Sequence, residues 1–197
     1  MMRKMQKQQG FTIIELVVVI LLLGILTATA LPRFMDVTEE AHDAAVSGVL
    51  GGLSTGVGLF RAQWFGKGQP QAGKLVPGFG NGLLATNGSG YPIGLDSTQT
   101  SISAIVDCTN IFGNVLQGGA PSVGATTVAA GTTYTSANLD TDRGAGISTD
   151  YVVQIDLASS AKTCEYVYVG QYQDASLGSI PVISLDTITG EVSLGQF

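Results

Sequence analysis

The sequence predicts an α+β protein: a long N-terminal helix, membrane-spanning in its first half, packed on a C-terminal antiparallel β-sheet head. Three observations carry this. Residues 11–31, FTIIELVVVILLLGILTATAL, hold a single charge, and a helix of that length rises about 31 Å, enough to cross a bilayer core. Beyond Leu31, apolar residues recur every three or four positions as far as Trp64. After residue 150 the period falls to two, in short runs bounded by turn residues.

A chain of 197 residues suits one ordinary domain with an appendage. Nine Lys+Arg stand against fifteen Asp+Glu, and Arg3, Lys4 and Lys7 fall in the first ten positions. Without that segment six basic residues face fifteen acidic ones, a net charge of −9. Such a body does not bind nucleic acid by bulk phosphate neutralisation, which needs a basic surface. Abundant glycine (27) with 45% apolar residues reads as loop-rich, β-leaning and extracytoplasmic rather than disordered. Cys108 and Cys164 are the only cysteines. Downstream of an export or membrane segment they are expected to pair, closing a loop that stabilises the fold by about 4 kcal/mol; the alternative is two buried thiols.

The basic residues before the apolar run place the N-terminus in the cytoplasm and everything after Leu31 outside. Three readings of the first thirty residues compete. A secretory signal peptide would be cut at the small residues Ala28-Thr29-Ala30, leaving a soluble protein from Leu31. A plain membrane anchor would keep its N-terminus. A leader cut after Gly10 would retain the apolar helix. Glu15 separates them, because a carboxylate in a membrane helix is unfavourable without a partner. Cutting after Gly10 creates an amine on Phe11, about one turn away. Helices packed side by side then pair one subunit's Glu15 with another's Phe11 ammonium. On this reading Glu15 has a use only in the cleaved, assembled state.

Gly10-Phe11-Thr12-Ile13-Ile14-Glu15-Leu16, after a short basic leader and before an apolar run, resembles the leader of type IV pilins and pseudopilins, a likeness that covers residues 7–34 and includes Pro32. The resemblance implies the type IV pilin fold, cleavage after Gly10 and N-methylation of Phe11 by a prepilin peptidase. It also implies subunit registration through Glu15 and Phe11, and assembly by an inner-membrane platform and its ATPase from a membrane pool with periplasmic heads. The body is most similar to the mannose-sensitive haemagglutinin type pilins, a minor one included, through Leu31-Pro32-Arg33-Phe34-Met35-Asp36-Val37, Arg61-Ala62-Gln63-Trp64 and Gly90-Tyr91-Pro92-Ile93-Gly94-Leu95. The expected function is therefore that of a structural subunit of an extracellular pilus for surface attachment, polymerising with other pilin subunits. A pseudopilin of a type II secretion system is the alternative, and an exported soluble binding domain cleaved after Ala30 the second.

These readings divide the chain into a removed leader (1–10), a membrane and filament-core helix (11–31), an amphipathic continuation (32–64) and a globular head (65–197). In the continuation, Phe34, Val37, Ala41, Ala45, Val49, Leu53, Val57, Phe60 and Trp64 form the expected buried face. Pro32 removes a backbone donor and predicts a kink or local unwinding, with Gly24 a second weak point. The resemblance implies lost helicity between the equivalent positions in assembled pili. Gly48, Gly52 and Gly56, four apart, predict close approach to a sheet or a neighbouring stem.

In the head, Gly and Pro between residues 66 and 82 mark a long connection. A short helix is expected over 100–117, carrying Cys108, and a surface loop over 118–149. Tyr151–Leu157 and Thr163–Val169 form one antiparallel hairpin through Ala158–Lys162; residues 180–185 and 191–195 form another through Asp186–Gly190. Pro181 suggests an edge strand or a strand start. Together these make a four-stranded antiparallel sheet.

No catalytic set is assembled, and the chain is not expected to be an enzyme. His42, the one histidine, lies among acidic residues and reads as a solvated surface group. Two cysteines do not make a zinc site, and no phosphate-binding loop or dinucleotide fingerprint is present. No cofactor is expected; Asp140, Asp142 and Asp150 form a weak calcium candidate, because Gly144 stands where a ligand is needed and no bidentate Glu follows. Asn87-Gly88-Ser89 matches a glycosylation triplet but reads as a turn.

Overall fold

The computed structural model describes residues 11–127, 134–157, 162–170 and 180–196, with side chains for all of these except 32–39, 136 and 143. Gly10 and the rest of the leader, and the turn residues 158–161, lie outside them. The chain divides into two compact units, Met1–Ala41 and His42–Phe197, and helix α1 (Ile13–Gly66) contributes to both.

In the first unit the large apolar side chains from Phe11 to Leu31 are all exposed. This stretch is long and apolar enough to cross a membrane. The local unwinding expected at Pro32 is not present in the single chain, which stays helical through Gly24 and Pro32. The Thr27 hydroxyl donates back to the Leu23 carbonyl (2.7 Å) and the Thr29 hydroxyl to that of Leu26 (3.0 Å), so neither leaves an unpaired polar group on an apolar helix.

In the second unit α1 buries Val46, Leu53, Val57, Phe60 and Trp64. The expected face is thus shifted: Val46 is buried where Ala45 and Ala41 are exposed, because the larger side chain gains more by burial, Val49 is half-buried, and the side chains of Phe34 and Val37 lie outside those described. Helix α2 (Ile105–Leu116) packs across it. An added Cβ at Gly56 would lie 3.0 Å from the Val115 carbonyl oxygen, and one at Gly52 would lie 3.0 Å from the Leu116 side chain. The glycine stripe therefore admits α2, rather than a sheet, and Gly48 does not share this role: nothing lies within 4 Å of its Cβ position. At the N-terminus of α2 the Asp107 carboxylate accepts the backbone N–H groups of Ser103 (2.9 Å) and Ala104 (3.1 Å), which capping requires.

The head carries two sheets. Strands β1 (Lys74–Leu75), β2 (Ala85–Thr86) and β3 (Pro92–Gly94) form a small antiparallel one, with β1 inside the expected connection and β2 and β3 beyond it. The main sheet has five strands in the order β4 (Val123–Ala125), β5 (Tyr151–Asp156), β6 (Thr163–Tyr168), β7 (Pro181–Asp186) and β8 (Val192–Gln196). Both expected hairpins are present, but β4 adds a parallel edge strand beside β5, so the sheet is mixed. Pro181 opens β7, an interior strand; a first residue tolerates the missing donor, so of the two expectations the strand start holds. The hairpin turn at Asp186–Gly190 is held by the Asp186 carboxylate accepting the Ile188 N–H at 2.7 Å, with Gly190 at φ 73°.

The alternation along β5–β7 sorts side chains to two sides. Tyr151, Val153, Ile155, Cys164, Tyr166, Ile183 and Leu185 join the core shared with α1 and α2. Val152, Val167, Val169 and Val182 build a second cluster with Tyr134, Leu139 and Ile180. That cluster lies with helix α3 (Ser136–Gly144), so the expected 118–149 surface loop is corrected to strand, helix and buried contacts. Cys108 and Cys164 are disulfide-bonded and fully buried, joining α2 to β6.

Candidate functional site

The N-terminus of α1 is built by its own sequence. Thr12 precedes the first helical residue, and Glu15 is the third within the helix. The Thr12 backbone N–H donates to Glu15 Oε2 (2.9 Å), the Thr12 hydroxyl donates to the same oxygen (2.7 Å), and the Glu15 N–H donates to Thr12 Oγ1 (3.4 Å). This is a reciprocal capping box, spelled by Thr-x-x-Glu before an apolar run. It corrects the expectation that Glu15 has a use only in an assembly: the carboxylate closes its own helix end. The signal is legible in the spacing of Thr12-Ile13-Ile14-Glu15. Glu15 Oε1 has no partner among the described residues, so one oxygen stays open to a donor from another chain.

His42 is corrected as well. It is half-buried, with Nδ1 2.6 Å from the Tyr168 hydroxyl and ring centroids 5.8 Å apart. Tyr168 in turn packs on Tyr151 at 5.1 Å. His42 thus ties the start of the head's stem segment to β6 rather than standing in solvent.

The three aspartates of the calcium candidate go separate ways. Asp142 is fully buried on α3: Oδ2 accepts the hydroxyls of Thr126 (2.7 Å) and Tyr134 (2.8 Å), and Oδ1 accepts the N–H (2.8 Å) and hydroxyl of Thr127. Burial pushes its carboxyl up, but these hydrogen bonds outweigh that and hold it below the usual range. Asp150 accepts the Ser122 N–H (3.0 Å) and hydroxyl (2.6 Å), fixing the start of β4, while Asp140 is exposed. Among the described residues no group of three or more His, Cys, Asp or Glu side chains is placed to hold a metal. The Asn87 triplet forms a turn: its Oδ1 accepts the Ser89 and Tyr91 N–H groups, both at 2.9 Å, and its buried amide donates to Thr187 O. A cleft of about 400 Å³ beside α3, walled by Leu139, Ile147, Val152 and Val169, borders the sealed Asp142.

Comparison with known proteins agrees with the helix as the functional element. Residues 5–31 match the prokaryotic N-terminal methylation motif. The chain is 33% identical over 105 residues to the type IV narrow pilus major component PilA5 of Thermus thermophilus, covering 53% of this chain and 87% of that protein. It is 36% identical over 123 residues to fimbrial protein Q of Moraxella bovis, covering 62% of this chain and 70% of that one. The type IV major alpha-pilin of Moraxella bovis is 45% identical over 53 residues, 27% of this chain and 33% of its own length. No solved structure matches the chain. The capped apolar helix, its methylation motif and relatives matched over most of their length place this chain in the type IV pilin family, as a structural pilin and not an enzyme.

Proposed function

We propose that the chain is a subunit of an extracellular type IV pilus used for surface attachment, drawn from an inner-membrane pool in which its head is periplasmic. The observation that carries this is the stretch Phe11–Leu31, apolar on every side and with all its large apolar side chains exposed, with a lone carboxylate at its start. Such a surface needs lipid before assembly and other pilin helices afterwards. Prepilin peptidase cleaves after Gly10 and methylates Phe11; the platform and ATPase are the assembly partners. Glu15, with Oε1 open, serves registration against a Phe11 amine, and Pro32 is the point at which the assembled helix loosens. Two relatives are named as major components, which supports a major role. The likeness to mannose-sensitive haemagglutinin type pilins, and to a minor one, rests on the body motifs alone.

The test is the N-terminus of the protein in its native host, read by intact mass and fragmentation. A chain beginning at methylated Phe11 is the expected outcome; one beginning at Leu31 makes this a soluble exported domain and sinks the proposal. In the same host, Glu15→Val assembling at the parental level would remove the registration role.

A further inference from the structure

We propose that the solvent-facing ridge of α1 within the head, Asp43–Ser47–Ser54–Gly58–Arg61–Phe65, is where one copy of this chain takes its register on a second, with Arg61 of one copy against Asp43 of the next. The inference rests on the polymerising role above and adds the contact that sets the step at head level.

Charge points to the occupant. Between Asp43 and Asp96 there is no acidic residue, and Arg61, Lys67 and Lys74 are the only charges in that stretch of an otherwise acidic body. Glu40 and Asp43 are exposed at one end of the ridge, and Arg61 at the other. Eighteen residues separate Asp43 from Arg61, about five helical turns, which puts both on one face about 27 Å apart. The Arg61 guanidinium is already oriented: it lies 4.7 Å from the Tyr91 ring centroid and 5.6 Å from that of Phe65. Among the described residues neither Asp43 nor Arg61 has an ion-pair partner.

The backbone supplies a second, independent argument. Gly51 and Gly58 lie on the same side as this ridge, and nothing approaches within 4 Å of either Cβ position. Helix-interior glycine weakens a helix relative to alanine. At Gly52 and Gly56 the approach of α2 accounts for the residue. At Gly51 and Gly58 nothing among the described residues does, whereas the close passage of another backbone would. A copy displaced along the axis by about 27 Å brings its Asp43 level with Arg61, a head-to-tail contact that repeats without closing and so extends a filament.

The experiment uses the full-length chain in its native host and reads pilin sheared from the cell surface. Asp43→Arg and Arg61→Asp are each expected to lower it about tenfold by placing like charges together, with cell-associated pilin unchanged, and the double reversal to restore it. Single reversals that assemble at the parental level, or a double no better than the singles, overturn the inference. A chain carrying Asp43→Cys and Arg61→Cys is expected to give a reductant-sensitive ladder of dimers and higher species from filaments. Filaments that form but yield only monomers sink the register contact and leave the pilus subunit standing. A parental chain that forms no filaments overturns both.

Discussion

The two halves of α1 belong to one continuous helix and have opposite fates. In the first, every large apolar side chain is exposed, and even the best covered, Val17, remains 45% so; in the second, Leu53 and Phe60 are fully buried. The difference lies in pattern as well as in apolarity, the mean hydropathy being 2.7 over Ile13–Leu31 and 1.3 over Glu40–Gly66. Residues 11–31 are apolar all round the helix, so no single sheet or helix of the same chain can cover them. Residues 42–66 gather most of their large apolar side chains in one buried stripe and give much of the remaining surface to Gly, Ala, Ser and Thr, with Leu59 and Phe65 left exposed. A stripe is satisfied by a fold, whereas an apolar cylinder is satisfied only by an apolar surrounding on every side.

The largest effect that tests this contrast is truncation in each half. Phe60 packs edge-on against Phe79 at 5.2 Å between ring centroids, and Phe60→Ala should destabilise the head by about 3–5 kcal/mol. Leu22, 55% exposed, should change head stability by less than about 0.5 kcal/mol when cut to alanine, while impairing assembly. Denaturant unfolding in detergent, followed by Trp64 fluorescence, compares the two. Equal destabilisation would mean that the first half is folded into the head after all.

A smaller effect separates two carboxylates, one on the apolar half of α1 and one in the head. Glu15 closes a helix end in the exposed half and Asp142 is sealed in the head, where Thr126, Thr127 and Tyr134 donate to it. Its folded pKa lies below the unfolded value, so its contribution to stability is present above the ordinary carboxylate range and is lost as pH falls through the lowered value. Asp142→Asn should remove about 1–3 kcal/mol near neutral pH and flatten the acid limb of the stability profile. Glu15→Gln should leave that profile unchanged. An acid limb unaltered in Asp142→Asn would assign the head's acid sensitivity to other carboxylates.

What could be read from sequence follows the same division. The apolar half is legible because length, apolarity and one misplaced carboxylate are local properties. So were β5–β8, whose alternation and turn residues are written in consecutive positions, and the cysteine pair, which needs only its compartment. Residues 118–149 were read as loop because Gly, Ser and Thr dominate there, and nothing in that composition announces that Asp142 is the hub on which Thr126 and Tyr134 converge from 16 and 8 positions away. The bond from His42 to Tyr168 spans 126 residues and has no local signature. Thr12 and Glu15 are different: the capping box is explicit in their spacing, while a role for Glu15 between subunits is written nowhere in one chain.

The smallest predicted effects lie within the second half, where two glycines two residues apart differ in what surrounds them. At Gly56 a methyl group would meet the Val115 side chain at 2.5 Å and the Val115 carbonyl oxygen at 3.0 Å. The side chain can turn aside; the backbone of α2 cannot without moving the helix. Gly56→Ala should therefore destabilise the head by about 1–2 kcal/mol, the overpacking outweighing the helix-propensity gain. At Gly58 nothing lies within 4 Å, and Gly58→Ala should stabilise the isolated head by up to about 1 kcal/mol. Thermal unfolding of the pair gives the signs. If the ridge carrying Gly58 is where a second copy seats, the same alanine that stabilises the subunit should lower filament yield. That opposition between folding and assembly distinguishes a glycine kept for a neighbour from one kept by chance. Two stabilising substitutions would show that the close approach of α2 to Gly56 is softer than its geometry implies.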